Sequence, residues 1–209
     1  MRTNPFLDSW LFVVGLADVP SAEGTYRYAA IVLFLGLLGA AALIAFANWR
    51  EDLAQRTGAH IAVGACRVLV GCMWFQACLL KLPSPMADSF QHWAEQMAQY
   101  AAFGFHRALV TSVYLPSLKL ANNFVFLAEL LFSISLILGF WVRLFAGLAT
   151  LFTLHLWLGL YLHPGEWLWS YIFLAIIHVQ FVATAAGASL GLDALLHRHD
   201  VTGFARAFG

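Results

Sequence analysis

Five apolar runs, each long enough to cross a bilayer, dominate this chain and fix what it can fold into. They extend from Tyr28 to Phe46, His60 to Leu82, Asn122 to Trp141, Leu144 to Leu162 and Glu166 to Ala185. A hydrocarbon layer about 30 Å thick needs ~20 apolar residues when each adds about 1.5 Å of helix. Within lipid the backbone must satisfy its own N–H and C=O groups, so such runs are read as helices. Composition agrees, with 62% hydrophobic and only 11% charged residues. That leaves too little polar surface to cover a water-facing globule. The formal net charge is zero, which removes the electrostatic footprint of a nucleic-acid binder.

The runs divide the chain. Residues 1–27 form an N-terminal interfacial segment, in which Pro5 to Leu16 is apolar but too short to span. Residues 28–48 supply one transmembrane helix. Residues 60–196 supply four more, interrupted by a long connection over 84–121, and 197–209 form a polar tail. Pro83 and Pro85 stop the second run, Pro164 the fourth and Gly187 the fifth. Val142-Arg143 and His163-Pro164-Gly165 are tight turns that make their flanking helices antiparallel neighbours. Within the long connection, Phe90, Trp93, Met97, Tyr100 and Ala101 recur at three- and four-residue spacing. This predicts an amphipathic helix over Ser89 to Phe105, lying on the membrane surface or capping the bundle.

Orientation follows from the basic residues. Arg50, Arg56, Arg143, Arg198 and Arg206 fall on one face, and Arg2, Arg27, Lys81, Arg107 and Lys119 on the other. The counts tie. Long loops cross with little regard to charge, which discounts Arg107 and Lys119 and places the C-terminus in the cytoplasm of a bacterial-type plasma membrane. The N-terminus carries no pattern of a removable signal peptide. Cys66, Cys72 and Cys78 stand six residues apart, about 120° around a helix from one to the next, so they read as small apolar packing groups. No metal site is expected.

Ionisable groups at membrane depth are costly and need a partner or a water-filled cavity. Counting helical rise from one face puts Arg67 at ~10 Å, His178 at ~12 Å, His155 at ~16 Å and Glu129 at ~20 Å. They lie on four different helices and are expected to converge inside the bundle. Arg67, Gly71, Trp74, Cys78 and Lys81 share a stripe. So do Val125, Glu129, Phe132 and Ser133, and likewise Tyr171, Leu174, His178 and Phe181. Three readings stay open. Arg67 and Glu129 neutralise each other while each histidine bonds a neighbouring helix, or the group lines a quinone or small-anion site, or His155 and His178 ligate haem. Haem is disfavoured because two axial histidines should be level. Lys81 ends its helix at the outer interface, where it snorkels or guides an anion. Trp167, Trp169 and Tyr171 read as an interfacial belt.

A set of short motifs adds to this. Cys66-Arg67-Val68-Leu69-Val70-Gly71 precedes Lys81-Leu82 and a proline-containing loop. Ala128-Glu129-Leu130-Leu131, Leu138-Gly139 and Arg143-Leu144 follow, then Pro164-Gly165-Glu166-Trp167-Leu168-Trp169-Ser170-Tyr171. The last is Ala186-Gly187-Ala188-Ser189-Leu190-Gly191-Leu192-Asp193. In order and at helix ends, over about His60 to Leu196, the set resembles the DoxX/DoxD family, whose nearest branch is the membrane subunit of thiosulfate:quinone oxidoreductase. Two positions depart from the family pattern. Ala188 stands where Arg is common, and Ala77-Cys78 where a small Gly is usual before the lysine.

The resemblance implies an all-α integral membrane protein. Its core is a four-helix DoxX-like transmembrane bundle, with one extra N-terminal transmembrane helix and an amphipathic surface helix. It implies electron flow from a reduced sulfur compound such as thiosulfate to membrane quinone, within a complex of further subunits embedded in lipid. Arg67, Glu129 and His178 would be the catalytic residues, and His155, Trp74 and Tyr171 would contact the quinone. Lys81 would face the substrate anion. The alternative is a non-catalytic scaffold subunit of a larger respiratory or photosynthetic membrane complex.

Overall fold

A computed structural model gives the architecture, and it describes residues 4–13, 25–82 and 87–198. Pro83 and Pro85, and the tail beyond Arg198, lie outside the described residues. Helix α1 covers Pro5–Val13 and α2 covers Thr25–Glu51; α3 runs over Gly58–Leu79 and α4 over Asp88–Tyr100. Then follow α5 (Gly104–Leu109), α6 (Leu118–Leu138), α7 (Val142–Gly159), α8 (Trp169–Ala183) and α9 (Leu192–Arg198).

Four described stretches are long and apolar enough to cross a membrane: Tyr28–Glu51, Gly58–Leu79, Gly104–Leu138 and Val142–Gly159. Helix α8, with 15 residues, is shorter than its expected run from Glu166. Pro164 and Gly165 favour a turn, and the chain between Gly159 and Trp169 bends before α8 begins. The chain is a multi-pass membrane protein, and its described residues form helices and no strand.

The third crossing begins earlier than its sequence pattern indicates. The apolar run starts at Asn122. Instead α5 continues through a π turn at Val110–Tyr114 and a 3-10 turn at Leu115–Ser117 into α6. These two changes of winding absorb Pro116, which has no N–H to give to the helical ladder.

The four-helix core is built from two tight pairs, α3 with α6 and α7 with α8. At Gly71 a Cβ would lie 2.8 Å from Cγ1 and 2.9 Å from the amide nitrogen of Ile137. Only a residue without a side chain lets α3 and α6 approach this closely. Ala146 and Ala149 on α7 are fully buried and do the same for the second pair. Between the pairs, Trp74, Phe132, Leu136 and Phe181 share one apolar cluster. The extra helix α2 leans on the bundle through Phe34, whose ring meets Phe75 at 4.8 Å. Many of its other side chains, among them Tyr28, Val32, Leu43 and Phe46, are exposed and fit a lipid-facing surface.

The amphipathic pattern in the long connection becomes α4, ending at Tyr100 rather than Phe105. Phe90, Ala94 and Met97 are its buried face. It closes one end of the bundle, and the chain next to it is bonded to α7 and the segment after it. The Ala102 amide donates to Leu158 O at 2.8 Å, and the Leu162 amide donates to Tyr100 O at 3.0 Å.

Candidate functional site

The polar residues expected to converge are split between the two ends of the bundle. Because α3 and α6 are antiparallel, Arg67 falls beside Leu136 and Ile137, Trp74 beside Phe132, and Lys81 beside Glu129. The expected Arg67–Glu129 pair does not form.

At the first end, the Arg67 guanidinium is buried and donates to Leu136 O, to Ile137 O at 3.2 Å and to Ser189 O at 3.5 Å. Leu136 and Ile137 are in the last turn of α6, where carbonyls lack helical partners. Arg67 is therefore a cap for α6. Asp193 does the complementary work for α7. Its carboxylate accepts from the Trp141 amide at 2.8 Å and the Val142 amide at 3.2 Å, at the helix end that favours negative charge. Burial pushes the Asp193 carboxyl above its usual range, while those two amides, His197 and Arg67 draw it back.

Gly139 joins these caps. Its φ is +72°, a left-handed conformation natural to glycine at a helix C-terminus. A Cβ there would also lie 2.7 Å from Nη1 of Arg67 and 2.6 Å from Cα of Gly191. Three of the sequence motifs, those of Arg67, Gly139 and Ser189 to Asp193, thus meet in a structural knot around the α6–α7 turn. Ala188, the departure from the family pattern, belongs to this end. Its carbonyl accepts from Gln55 Nε2 at 3.0 Å.

The second end holds a cavity of about 290 Å³. Its polar rim comes from Lys81, Glu129, His155 and Tyr171, and its apolar wall from residues such as Trp74, Phe90, Met97, Phe152 and Leu174. Lys81, expected to reach the interface, turns inward instead. Its Nζ lies 2.9 Å from Oε1 and 2.8 Å from Oε2 of Glu129, and donates to Ala77 O at 3.0 Å. The two side chains are only 14% and 3% exposed. In apolar surroundings a lone charge of either sign is costly, so the pair holds both groups in place. Asn122 secures the backbone beneath, donating to Lys81 O at 3.1 Å.

The histidines differ in position. His155 lines the cavity, and its Nδ1 shares a proton with Nε2 of the buried His106 at 2.9 Å. That leaves Nε2 of His155 as its second hydrogen-bonding atom. His178 is not on the cavity wall. Trp74 Nε1 donates to His178 Nε2 at 2.9 Å, and an indole N–H can only donate. His178 therefore accepts through Nε2, carries its ring proton on Nδ1 when neutral, and fixes the indole that forms the wall. Tyr171 donates its hydroxyl proton to Glu166 at 2.8 Å. It is half-buried, unlike the exposed Trp167 and Trp169 of the same expected belt.

Five of the expected site residues thus share one cavity: Lys81, Glu129, Trp74, His155 and Tyr171. His178 supports it from behind, and Arg67 is elsewhere. His106 and Tyr114 are additions that sequence reading passed over, because both lie in the stretch taken as a long connection. Tyr114 stacks on His155 with ring centroids 5.4 Å apart. Cys72 and Cys78 are buried, as small apolar groups would be, but Cys66 is exposed. Among the described residues, no group of three or more His, Cys, Asp or Glu could hold a metal ion.

A helical bundle of membrane-spanning length, with a small apolar cavity and a buried ion pair on its wall, defines a class of multi-pass membrane protein. The DoxX family model matches residues 62–163, from early in α3 to just past α7. The matched stretch contains both the capping arginine and the Lys81–Glu129 pair, so the likeness to DoxX covers α3, α6 and α7. Neither a curated protein nor a solved structure matches the chain.

Proposed function

We propose that this chain is a quinone-binding membrane subunit of DoxX type, acting with partner subunits that oxidise a reduced sulfur compound such as thiosulfate. The observation that carries the reading is the cavity, which sets a buried cation–carboxylate pair and a histidine against a largely apolar and aromatic wall. Such a site suits a flat, lipophilic ring bearing one or two carbonyl oxygens. Lys81 is placed to donate to a carbonyl oxygen. Glu129 is placed to exchange a proton at the same edge, and His155, backed by His106, offers a second hydrogen-bonding position. Quinone would supply the acceptance of two electrons and two protons; the chain would bind it, exclude water and handle the protons. The reading places the protein in a bacterial-type plasma membrane with its C-terminus in the cytoplasm.

The test is what remains bound after extraction in mild detergent. Wild-type protein should carry quinone, and a Lys81→Met/Glu129→Leu variant should lose it. Wild-type protein that neither retains quinone nor takes it up when supplied would remove this reading. A scaffold role in a larger complex is the second reading, favoured by the broad exposed apolar face of α2. A stoichiometric place in a large complex without any quinone would support it.

A further inference from the structure

We infer that the ligand of this cavity carries a hydrocarbon tail, and that the tail leaves the bundle between α3 and α8 along a groove open to lipid. The inference rests on the cavity being a quinone site and deepens it. Two apolar grooves adjoin the cavity. One, between α6 and α7, shares with it Tyr114, Phe152 and His155. The other, between α3 and α8, shares Met73, Tyr171 and Leu174.

The first boundary is closed by interlocked rings. Tyr114 stacks on His155 at 5.4 Å, His155 meets Phe152 at 6.2 Å, and Phe152 meets Trp74 at 5.8 Å. Opening it would break several ring contacts at once. The second boundary has one ring, Tyr171, with a flexible methionine and a leucine beside it. The Tyr171 hydroxyl is tied sideways to Glu166, which lies before α8. A single phenol on one hydrogen bond is the easier barrier to pass. Both grooves lie between the two tight pairs, but α6 and α7 pack against each other whereas α3 and α8 scarcely touch, so the second gap is the looser one.

The occupant follows from this continuity. The groove runs from the cavity past Val70 and Leu69 to Cys66 and is walled on α8 by Phe173 and Ile177. Leu69 and Phe173 are largely exposed, so the groove faces lipid tails. An alkyl or isoprenoid chain attached to a ring in the cavity would lie in it without leaving an apolar medium. From Met73 to Cys66 the groove follows α3 for about 10 Å, long enough to hold a substantial part of such a chain.

Cys66 supplies the test, because it is the exposed thiol while Cys72 and Cys78 are buried. The probes are two fully ring-substituted benzoquinones, one with a decyl tail and one with a methyl group in its place. Neither ring has a free position for a thiol to attack. In nanodiscs, the decyl compound should slow alkylation of Cys66 by a membrane-permeant maleimide several-fold, and the methyl compound should not. A Cys66→Trp variant should bind the decyl compound about tenfold more weakly and the methyl compound unchanged. Leu131→Trp, in the other groove, should alter neither.

Binding of both compounds without protection of Cys66, or a loss confined to Leu131→Trp, would overturn the tail assignment and leave the cavity reading standing. Failure of both compounds to bind wild-type protein would overturn the cavity reading and this inference with it.

Discussion

At the residue scale, two buried cations do different work. Lys81 and Glu129 form a pair on the cavity wall, while Arg67 closes the end of α6. Removing one member of a buried pair strands the other. Lys81→Met should therefore lower stability by about 3 kcal/mol or more, and Lys81→Met/Glu129→Leu should recover most of that loss. Thermal unfolding in detergent checks this; equal melting of the single and double variants would contradict it. Arg67→Met strands carbonyls rather than a charge, at a cost of about 1–3 kcal/mol. It should lower the melting temperature while leaving quinone affinity unchanged. A variant that keeps its stability but loses quinone would place Arg67 in the site after all. The sequence revealed that Arg67 and Glu129 are buried but not their partners. Depth comes from counting residues; rotation and register come from packing at Gly71 and Ile137, which no single helix displays.

At the element scale, the long apolar runs were readable because lipid imposes a length and a helical backbone at once. Helix α4 was readable too, since its period places Phe90, Ala94 and Met97 on one face. The continuation of α6 back to Gly104 was not, because the apolar run starts only at Asn122 and nothing local announces the π turn that carries the helix past Pro116. His106, the partner of His155, was lost with that segment. Gly71 carries the element-scale prediction. With Ile137 at 2.8 Å from a Cβ built there, Gly71→Leu should force α3 and α6 apart and cost roughly 1–3 kcal/mol or more. Helix α4 carries another. Ala94 is buried and faces the cavity, so Ala94→Trp should fill the space and abolish quinone binding with little loss of stability. Quinone bound as tightly as by wild type would show that the cavity is not the site.

At the scale of the whole molecule, the structure joins an end locked by caps to an end that encloses a cavity. Arg67, Gly139, Gly191 and Asp193 lock the α6–α7 turn to α3 and to the C-terminal segment. The opposite end holds an ion pair, two bonded histidines and a cavity beneath an amphipathic helix. The DoxX family match over residues 62–163 covers Arg67, Gly139 and the Lys81–Glu129 pair and ends before Tyr171, Gly191 and Asp193. The most direct measurement is equilibrium binding of the methyl-substituted benzoquinone to wild-type protein and to Lys81→Met/Glu129→Leu in nanodiscs. The account predicts saturable one-to-one binding by wild type. It also predicts affinity at least about tenfold weaker in the folded double variant, since charged hydrogen bonds to the ring would be lost. Equal affinity in the two proteins, or no binding by wild type, would contradict it.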